Sequence, residues 1–562
     1  MRLSRHCWSY SPAPRALDAA VPLPEDPVHV LSCRCRCGDA RAGPPRGLSG
    51  MSEPLAPPPA SRGFARQLLA DTGQAAIGRA LSLGVWMLLV PSLLRGLGAE
   101  GFALWSLFFA LTGYLSALDL GFTQGTMRHV AAARARGDGH EAGEFALMGL
   151  LGYLMLGALW LAVTPFLRES ALDLLRISAA HRAEAGAAFM LAPLAFACMG
   201  TAMVTITSLQ GWGRFDLANG VTFSSVVVQV SGALWALQQG WGLLGVLHFA
   251  IGGSVVGTLV GLLLLRLGAR GFVWSTPARA LGRFRETMAF GGPLQLANIL
   301  GVAHQQVDKL FLARYVALAL VSPYELGLRL AMVLGSIPQQ VLVALMPAVS
   351  ALHATGDADA LRVAYDRTGR WVMAITAAIA AGVVAGAPRL LIAWLGTPPP
   401  GADLCVVGLT LAMVVAMTTG TTTVLARAMG RTRYEAEFSA LGLAVHVALG
   451  LVLVPRYGLM GAVVSTFIAN VAASAWFILR FARMTGWGLG SAFVQPTLRP
   501  LIALALVVYP GRELALHLPI ASGLMAWMWA VIAGAVPAIT VLVLLIATGF
   551  LPRAQLRSAL AR

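Results

Sequence analysis

The chain has 562 residues, is 57% hydrophobic and only 12% charged, and carries a formal net charge of +16. Its mean hydropathy is +0.73, whereas a soluble domain is nearer half apolar and a quarter charged, so the chain reads as a membrane protein of many spans. The gaps between apolar segments are too short for a soluble domain, which places function within the bilayer; the basic excess marks cytoplasmic span ends, and nucleic acid is not an expected partner.

The first 50 residues differ from the rest. They hold four of the six cysteines, seven arginines and many prolines, and lack the apolar core of a signal peptide. Structural zinc sites need four ligands, with cysteines paired two to four residues apart, so CRCRC at 33–37 is not read as a metal site. No metal or cofactor is expected. The segment is either disordered or precedes a true start at Met51.

A span needs about 20 mostly apolar residues, and about 14 such spans are expected. They fall at 74–96, 100–120, 144–166, 187–210, 218–238, 242–266, 288–313, 321–347, 371–396, 402–426, 435–455, 457–479, 499–519 and 523–549. The first carries Arg79. The second ends at Asp119, a helix-end feature beside Gly121, or, with Gln124 and Arg128 one helical step apart, part of an inner mouth. The loop 129–145, HVAAARARGDGHEAGEF, is either an amphipathic helix on anionic headgroups or a solvated loop. Cys198 and Cys405 read as small core residues. His248 and His446 read more readily as packing histidines than as proton relays.

The seventh span is the most polar. Gln295, Asn298, Gln305 and Lys309 step by 3, 7 and 4 and form one helical stripe, with Val302 in the gap. His304 and Asp308 form the adjacent stripe, and Lys309 is the only lysine in the chain. The eighth span adds Glu325 and Arg329. Matching depths in a hairpin that turns near 320 predicts an Arg314–Glu325 contact and an Asp308–Arg329 contact. An ionisable group at a span centre costs at least about 2.5–3.5 kcal/mol, so these side chains face protein or water. Arg389 lies in the ninth span.

Counted from residue 51, with the N-terminus in the cytoplasm, 23 arginines fall on the cytoplasmic side and six on the far side. Both termini are therefore expected in the cytoplasm. The chain also repeats. MRHVAAARARGD at 127–138 parallels MPAVSALHATGD at 346–357, offset by 219; the GR at 213–214 parallels that at 430–431; and WGLLG at 241–245 parallels YGLMG at 457–461, offset by 216. Six spans separate equivalent points, so the halves share one orientation. The expected fold is an all-α polytopic membrane protein with two six-helix lobes in parallel repeat and two appended helices. Its expected parts are a cytoplasmic N-terminal segment (1–72), lobes at 73–268 and 286–480, the appended helices (498–550) and a cytoplasmic tail (551–562).

ALDLGFTQGTMRHVAAARARGD (117–138), VDKLFLARY (307–315), SPYELGLRLA (322–331), LMPAVSALHATGD (345–357) and RYGLMGAVVST (456–466) resemble the multidrug/oligosaccharidyl-lipid/polysaccharide flippase superfamily. The likeness is greatest to its bacterial polysaccharide-flippase branch and covers about residues 75–480. It implies a V-shaped bundle that moves a polyprenyl-pyrophosphate-linked oligosaccharide across the bacterial inner membrane by alternating access, without covalent chemistry. The implied partners are that lipid-linked oligosaccharide, membrane lipids and enzymes of polysaccharide biosynthesis. On this reading Lys309, Arg329, Asp308, Gln305, Asn298, Gln295, His304 and Arg79 are candidates for substrate binding, the cations meeting pyrophosphate. Arg314, Glu325, Asp119 and Arg128 are candidates for gating or ion pairing. The competing reading for the charged groups is that they only lock helices together, and Arg79 and Arg389 can instead snorkel to headgroups. The alternative function is a drug–cation antiporter of the same superfamily, against which stands the lack of Asp or Glu inside the first six spans. A membrane enzyme fits poorly, because outer loops are short and His304 has no partner constellation.

Overall fold

The computed structural model describes residues 62–551, apart from 118, 120 and 432. The expectations for the cysteine-rich start, for Met51 as a start and for the C-terminal tail beyond 551 lie outside the described residues. Regular structure among the described residues is helical throughout. The first half comprises α1 (Arg62–Ala117), α2 (Phe122–Arg136), α3 (Gly139–Leu174), α4 (Ala179–Gly211), α5 (Phe215–Gln238) and α6 (Gly242–Gly268). A short α7 (Pro277–Gly282) leads to α8 (Phe284–Tyr315), α9 (Val321–Ala354), α10 (Ala358–Leu395), α11 (Ala402–Met417), α12 (Gly420–Ala428) and α13 (Arg433–Thr485). A π-helical stretch, Gly490–Leu498, feeds α14 (Arg499–His517), and α15 (Gly523–Ala547) follows.

Two of these helices contain a reversal at glycine. α1 breaks at Gly98 (φ 70°) and α13 at Gly458 (φ 56°), both in the left-handed region that a Cβ disfavours. His446 and Thr466 are 20 residues apart in α13, yet His446 Nε2 and Thr466 Oγ1 lie 3.3 Å apart. The two arms of α13 therefore run side by side. Gly98 falls in the break expected between the first two spans, and Gly458 lies two residues past the break expected at 456. Eleven described helices are long and apolar enough to cross a membrane. The expected fourteen is not reached by this measure: the helices through Gly98 and Gly458 count once each, and α8, with its polar stripe, is not among the eleven.

The segment 129–145 is helical on either side of a turn at 137–138, so the solvated-loop reading fails. Its first part belongs to α2, where Val130 and Ala133 are fully buried in a cluster with Phe145, Leu209 and Trp212. The apolar face of α2 is thus spent on protein contacts. Asp119 is the helix-end feature expected: it is buried, accepts from the Gly121 N–H at 2.8 Å and Thr123 Oγ1 at 3.1 Å, and takes the Tyr153 hydroxyl at 2.6 Å. Gln124 and Arg128 are exposed on the other face of α2.

One apolar core is shared by both halves. It joins Leu93, Phe102 and Trp105 of α1 and Leu243 of α6 with Leu326 of α9 and Leu391 of α10. Trp394 of α10 adds a polar tie, donating its indole N–H to the Met87 carbonyl at 2.6 Å. Helix association in lipid relies on close packing, which small residues permit. The contact between α10 and α15 illustrates this, since a Cβ on Gly382 would lie 2.7 Å from the Gly534 carbonyl oxygen.

Arg389 neither faces a cleft nor snorkels. It is buried, and it donates through Nε to the Ala515 carbonyl at 2.7 Å and through Nη2 to the Leu516 carbonyl at 2.8 Å. These are carbonyls of the last turn of α14, which have no partner within the helix. Arg389→Leu removes their donors and should destabilise the protein by about 1–3 kcal/mol. Thermal unfolding of the purified variant in detergent checks this; an unchanged melting temperature would show that the cap is dispensable.

Candidate functional site

α8 positions the central residues. Consecutive residues on a helix point about 100° apart, so Asp308 and Lys309 face different neighbours. Asp308 faces α13 and is fully buried. Its Oδ2 accepts from Thr466 Oγ1 at 2.8 Å and lies 2.9 Å from His446 Nε2, and the Tyr324 hydroxyl donates to it from α9. His304, one turn earlier on α8, places Nδ1 3.3 Å from His446 Nδ1. With neutral rings this geometry is consistent with His304 donating to His446 and His446 donating to Asp308. The other carboxylate oxygen, Oδ1, is buried and has no hydrogen-bond partner among the described residues.

Lys309 faces α1 and α9 instead. Its Nζ lies 2.5 Å from Glu325 Oε2, an oxygen that also accepts from Ser106 Oγ at 3.0 Å. Glu325 Oε1 accepts from Arg329 Nε at 2.6 Å, one helical turn away on α9. The Arg329 guanidinium stands 4.8 Å from the centroid of the Trp105 ring, a cation–π arrangement. Lys309 and Glu325 are 3% and 4% exposed, so pyrophosphate does not reach Lys309 in this conformation. The side chain of Arg329 retains 27% exposure. Two cations against one carboxylate leave this cluster with a net charge of +1.

Ser106 and Glu325 are 219 residues apart, the offset of the clearest sequence repeat. Repeat-equivalent positions touch only where the two copies meet at their axis. The second arm of α1 and the start of α9 therefore cross on that axis, where Ser322 also donates to the Ala99 carbonyl. Glu325 is held by α1 of the first half and by α8 and α9 of the second.

Two expected contacts are absent from this arrangement. Asp308 pairs with His446, Thr466 and Tyr324 in place of Arg329, and Glu325 pairs with Lys309, Arg329 and Ser106 in place of Arg314. The depths expected in the hairpin were off by five residues, since Asp308 and Lys309 lie level with Tyr324 and Glu325, and depth does not say which side of α8 a residue faces. Arg314 lies with its guanidinium 5.6 Å from the ring centroid of Tyr315, and its Nη1 has no partner among the described residues. Asn298 is exposed, and the side chains of Gln295 and Arg79 lie outside the described residues. The two-stripe division of α8 also changes: His304 and Gln305 together line one open cavity, of about 380 Å³, between α8, α9, α11 and α13.

The sequence reading missed Tyr324, Thr466, Ser106 and Trp105 as site residues. Tyr324 and Thr466 lie inside quoted segments, SPYELGLRLA and RYGLMGAVVST, and both carry hydroxyls in apolar surroundings. That was the available signal. His446 was seen, but its partner sits on another helix.

A duplicated helical bundle with eleven described helices long and apolar enough to cross a membrane defines a multi-pass membrane protein. The chain belongs to the polysaccharide biosynthesis protein family, whose model matches residues 68–353. It is 22% identical over 280 residues to a putative O-antigen transporter of Shigella flexneri, a match that takes in 47% of this chain and 63% of the relative. Among solved structures it is similar to the lipid II flippase MurJ in an inward closed conformation, with a TM-score of 0.65, 12% identity and coverage of 84% of this chain and 98% of that one. It is also similar to an inward-facing multidrug resistance transporter of the MATE family and the MOP superfamily, with a TM-score of 0.62, 16% identity and coverage of 72% and 96%. These structural likenesses establish the fold.

The cluster predicts an order of effects. Glu325→Leu leaves two cations facing each other, Lys309 buried without a partner, and should cost about 3–5 kcal/mol. Lys309→Met leaves Glu325 with Arg329 and Ser106 and should cost less. Melting temperatures of the two purified variants check the order, and equal losses would contradict the central role of Glu325.

Proposed function

We propose that this protein moves a polyprenyl-pyrophosphate-linked oligosaccharide from the inner to the outer leaflet of the bacterial inner membrane by alternating access. The observation that carries the reading is the ion cluster on the repeat axis. It ties the halves together through Ser106 and Glu325, beside a part-exposed arginine. Family membership, the putative O-antigen transporter among the relatives and the lipid II flippase among the structural neighbours support it.

Arginine bias assigns the Gly98 turn and the start of α9 to the outer side, with both termini in the cytoplasm. The contacts Ser322–Ala99 and Ser106–Glu325 then close the outer side, and the substrate enters from within. In this scheme Arg329 takes the pyrophosphate, since a guanidinium matches paired phosphate oxygens. The pyrophosphate competes with Glu325 for the Arg329 guanidinium, which loosens the axis cluster and lets the outer seam part. An anion moving outward is also favoured by the membrane potential, by about 2.3 kcal/mol per charge per 100 mV. The second reading, cation-coupled drug export, has one observation in its favour: the buried Oδ1 of Asp308, which has no hydrogen-bond partner among the described residues.

A deletion strain should accumulate lipid-linked oligosaccharide on the cytoplasmic leaflet and lose surface polysaccharide. Intact surface polysaccharide with unchanged drug-efflux substrates would overturn the first reading, and drug efflux abolished by Asp308→Asn would favour the second. Arg329→Gln should slow export about tenfold or more. In a variant with all six cysteines replaced by alanine, Ala99→Cys and Ser322→Cys joined by a short, reducible thiol cross-linker should arrest export, with recovery on reduction. Full export while cross-linked would show that this seam does not open.

A further inference from the structure

The cavity between α8, α9, α11 and α13 lies within the second half and differs in chemistry from the charged axis. Its volume, about 380 Å³, falls within the ~300–1,000 Å³ range of small-molecule sites. No Asp, Glu, Lys or Arg lines it. Its polar lining holds the amides of Gln305, Gln339 and Asn470, the hydroxyls of Ser336, Thr419 and Ser439 and the imidazole of His304, beside the ring of Phe438. Each amide both donates and accepts, and each hydroxyl does the same. Behind one wall sits a carboxylate, because Tyr324 and Thr466, which line the cavity, both bind Asp308.

That lining selects among ligands. A pyrophosphate finds no cation there. A lipid tail would leave the amides of Gln305 and Gln339 facing hydrocarbon in place of a hydrogen-bonding partner. A hexuronate would bring a carboxylate towards Asp308 without a counter-charge. A neutral polyhydroxylated ring matches both features, its hydroxyls meeting groups that donate and accept and its C–H face lying on Phe438. We infer that this cavity is a subsite for an uncharged sugar unit, a hexose or N-acetylhexosamine, of the carried oligosaccharide. The source of the sugar rests on the flippase reading above; binding of the sugar does not.

Gly301 supplies the test. It lines the cavity, and nothing lies within 4 Å of the position of an added Cβ. Gly301→Phe therefore fills the space without meeting backbone, and it replaces a poor helix former. The probes are a free neutral trisaccharide of hexose and N-acetylhexosamine, a hexuronate trisaccharide and inorganic pyrophosphate, each added to the full chain in lipid nanodiscs. Saturation-transfer NMR reads binding. The neutral trisaccharide should show transfer, the hexuronate should bind about tenfold more weakly or worse, and pyrophosphate should not compete. Gly301→Phe should abolish the signal at an unchanged melting temperature, and Arg329→Gln should keep it. If Gly301→Phe does not fold, Gln339→Leu with Asn470→Leu should weaken binding about tenfold.

No transfer to the folded wild type, equal binding of the hexuronate, or a signal indifferent to the cavity variants would each overturn the assignment. Cavity-dependent sugar binding in a protein whose deletion leaves export intact would sink the flippase reading and leave the subsite standing. Lost export without cavity-dependent binding would do the reverse.

Discussion

Glu325 is the group on which the arrangement at the repeat axis depends. It is buried, and its two oxygens are taken by Lys309, Arg329 and Ser106 from three different helices. A carboxylate without water is stable only when its charge and lone pairs are met. The helices that meet it are thereby fixed in rotation as well as in depth. α8 must turn Lys309 towards the axis, which sends Asp308 towards α13. α1 must present Ser106, which brings Trp105 beneath the Arg329 guanidinium. A shared leucine and tryptophan core surrounds the cluster, but apolar packing is non-directional and would tolerate several rotations. The charges select one.

The legible parts of the sequence were those governed by local pattern. Span positions follow from runs of apolar residues, the breaks at Gly98 and Gly458 from glycine between two runs, and the parallel repeat from segments at nearly constant offset. The contact between Ser106 and Glu325 at the same offset gives that repeat a physical counterpart. The illegible parts were pairings across helices. Helical periodicity sorted Gln305, Lys309, His304 and Asp308 into stripes, but it could not say which helix each stripe would meet. Asp308 and Arg329 were paired by depth alone. In the structure Arg329 pairs within its own helix, where a separation of four residues makes contact inexpensive. Arg389 was misread for a related reason. Its role is to cap α14, a helix more than a hundred residues away, and no local pattern announces that.

The last two helices belong structurally to α10. Glycines at 382, 386 and 534 allow close approach, and Arg389 closes the end of α14. Arg512 of α14 adds an ion pair with Asp403 at the start of α11. A displacement of α10 relative to the axis would carry α14 and α15 with it.

The turn at Gly458 has a counterpart in the first half. Gly242 lies 216 residues earlier and shares its left-handed backbone, φ 61° against 56°. At the repeat offsets, however, the first half carries Leu89, Val230 and Ala250 where the second carries Asp308, His446 and Thr466. Leu89 and Val230 join the shared apolar core, whereas their counterparts form a clasp that ties both arms of α13 to α8. Duplication has kept the path of the chain and divided its chemistry. One copy is held at this level by apolar packing, the other by a buried carboxylate with its hydroxyl and imidazole partners, so the molecule is symmetric as a scaffold and unequal in its chemistry.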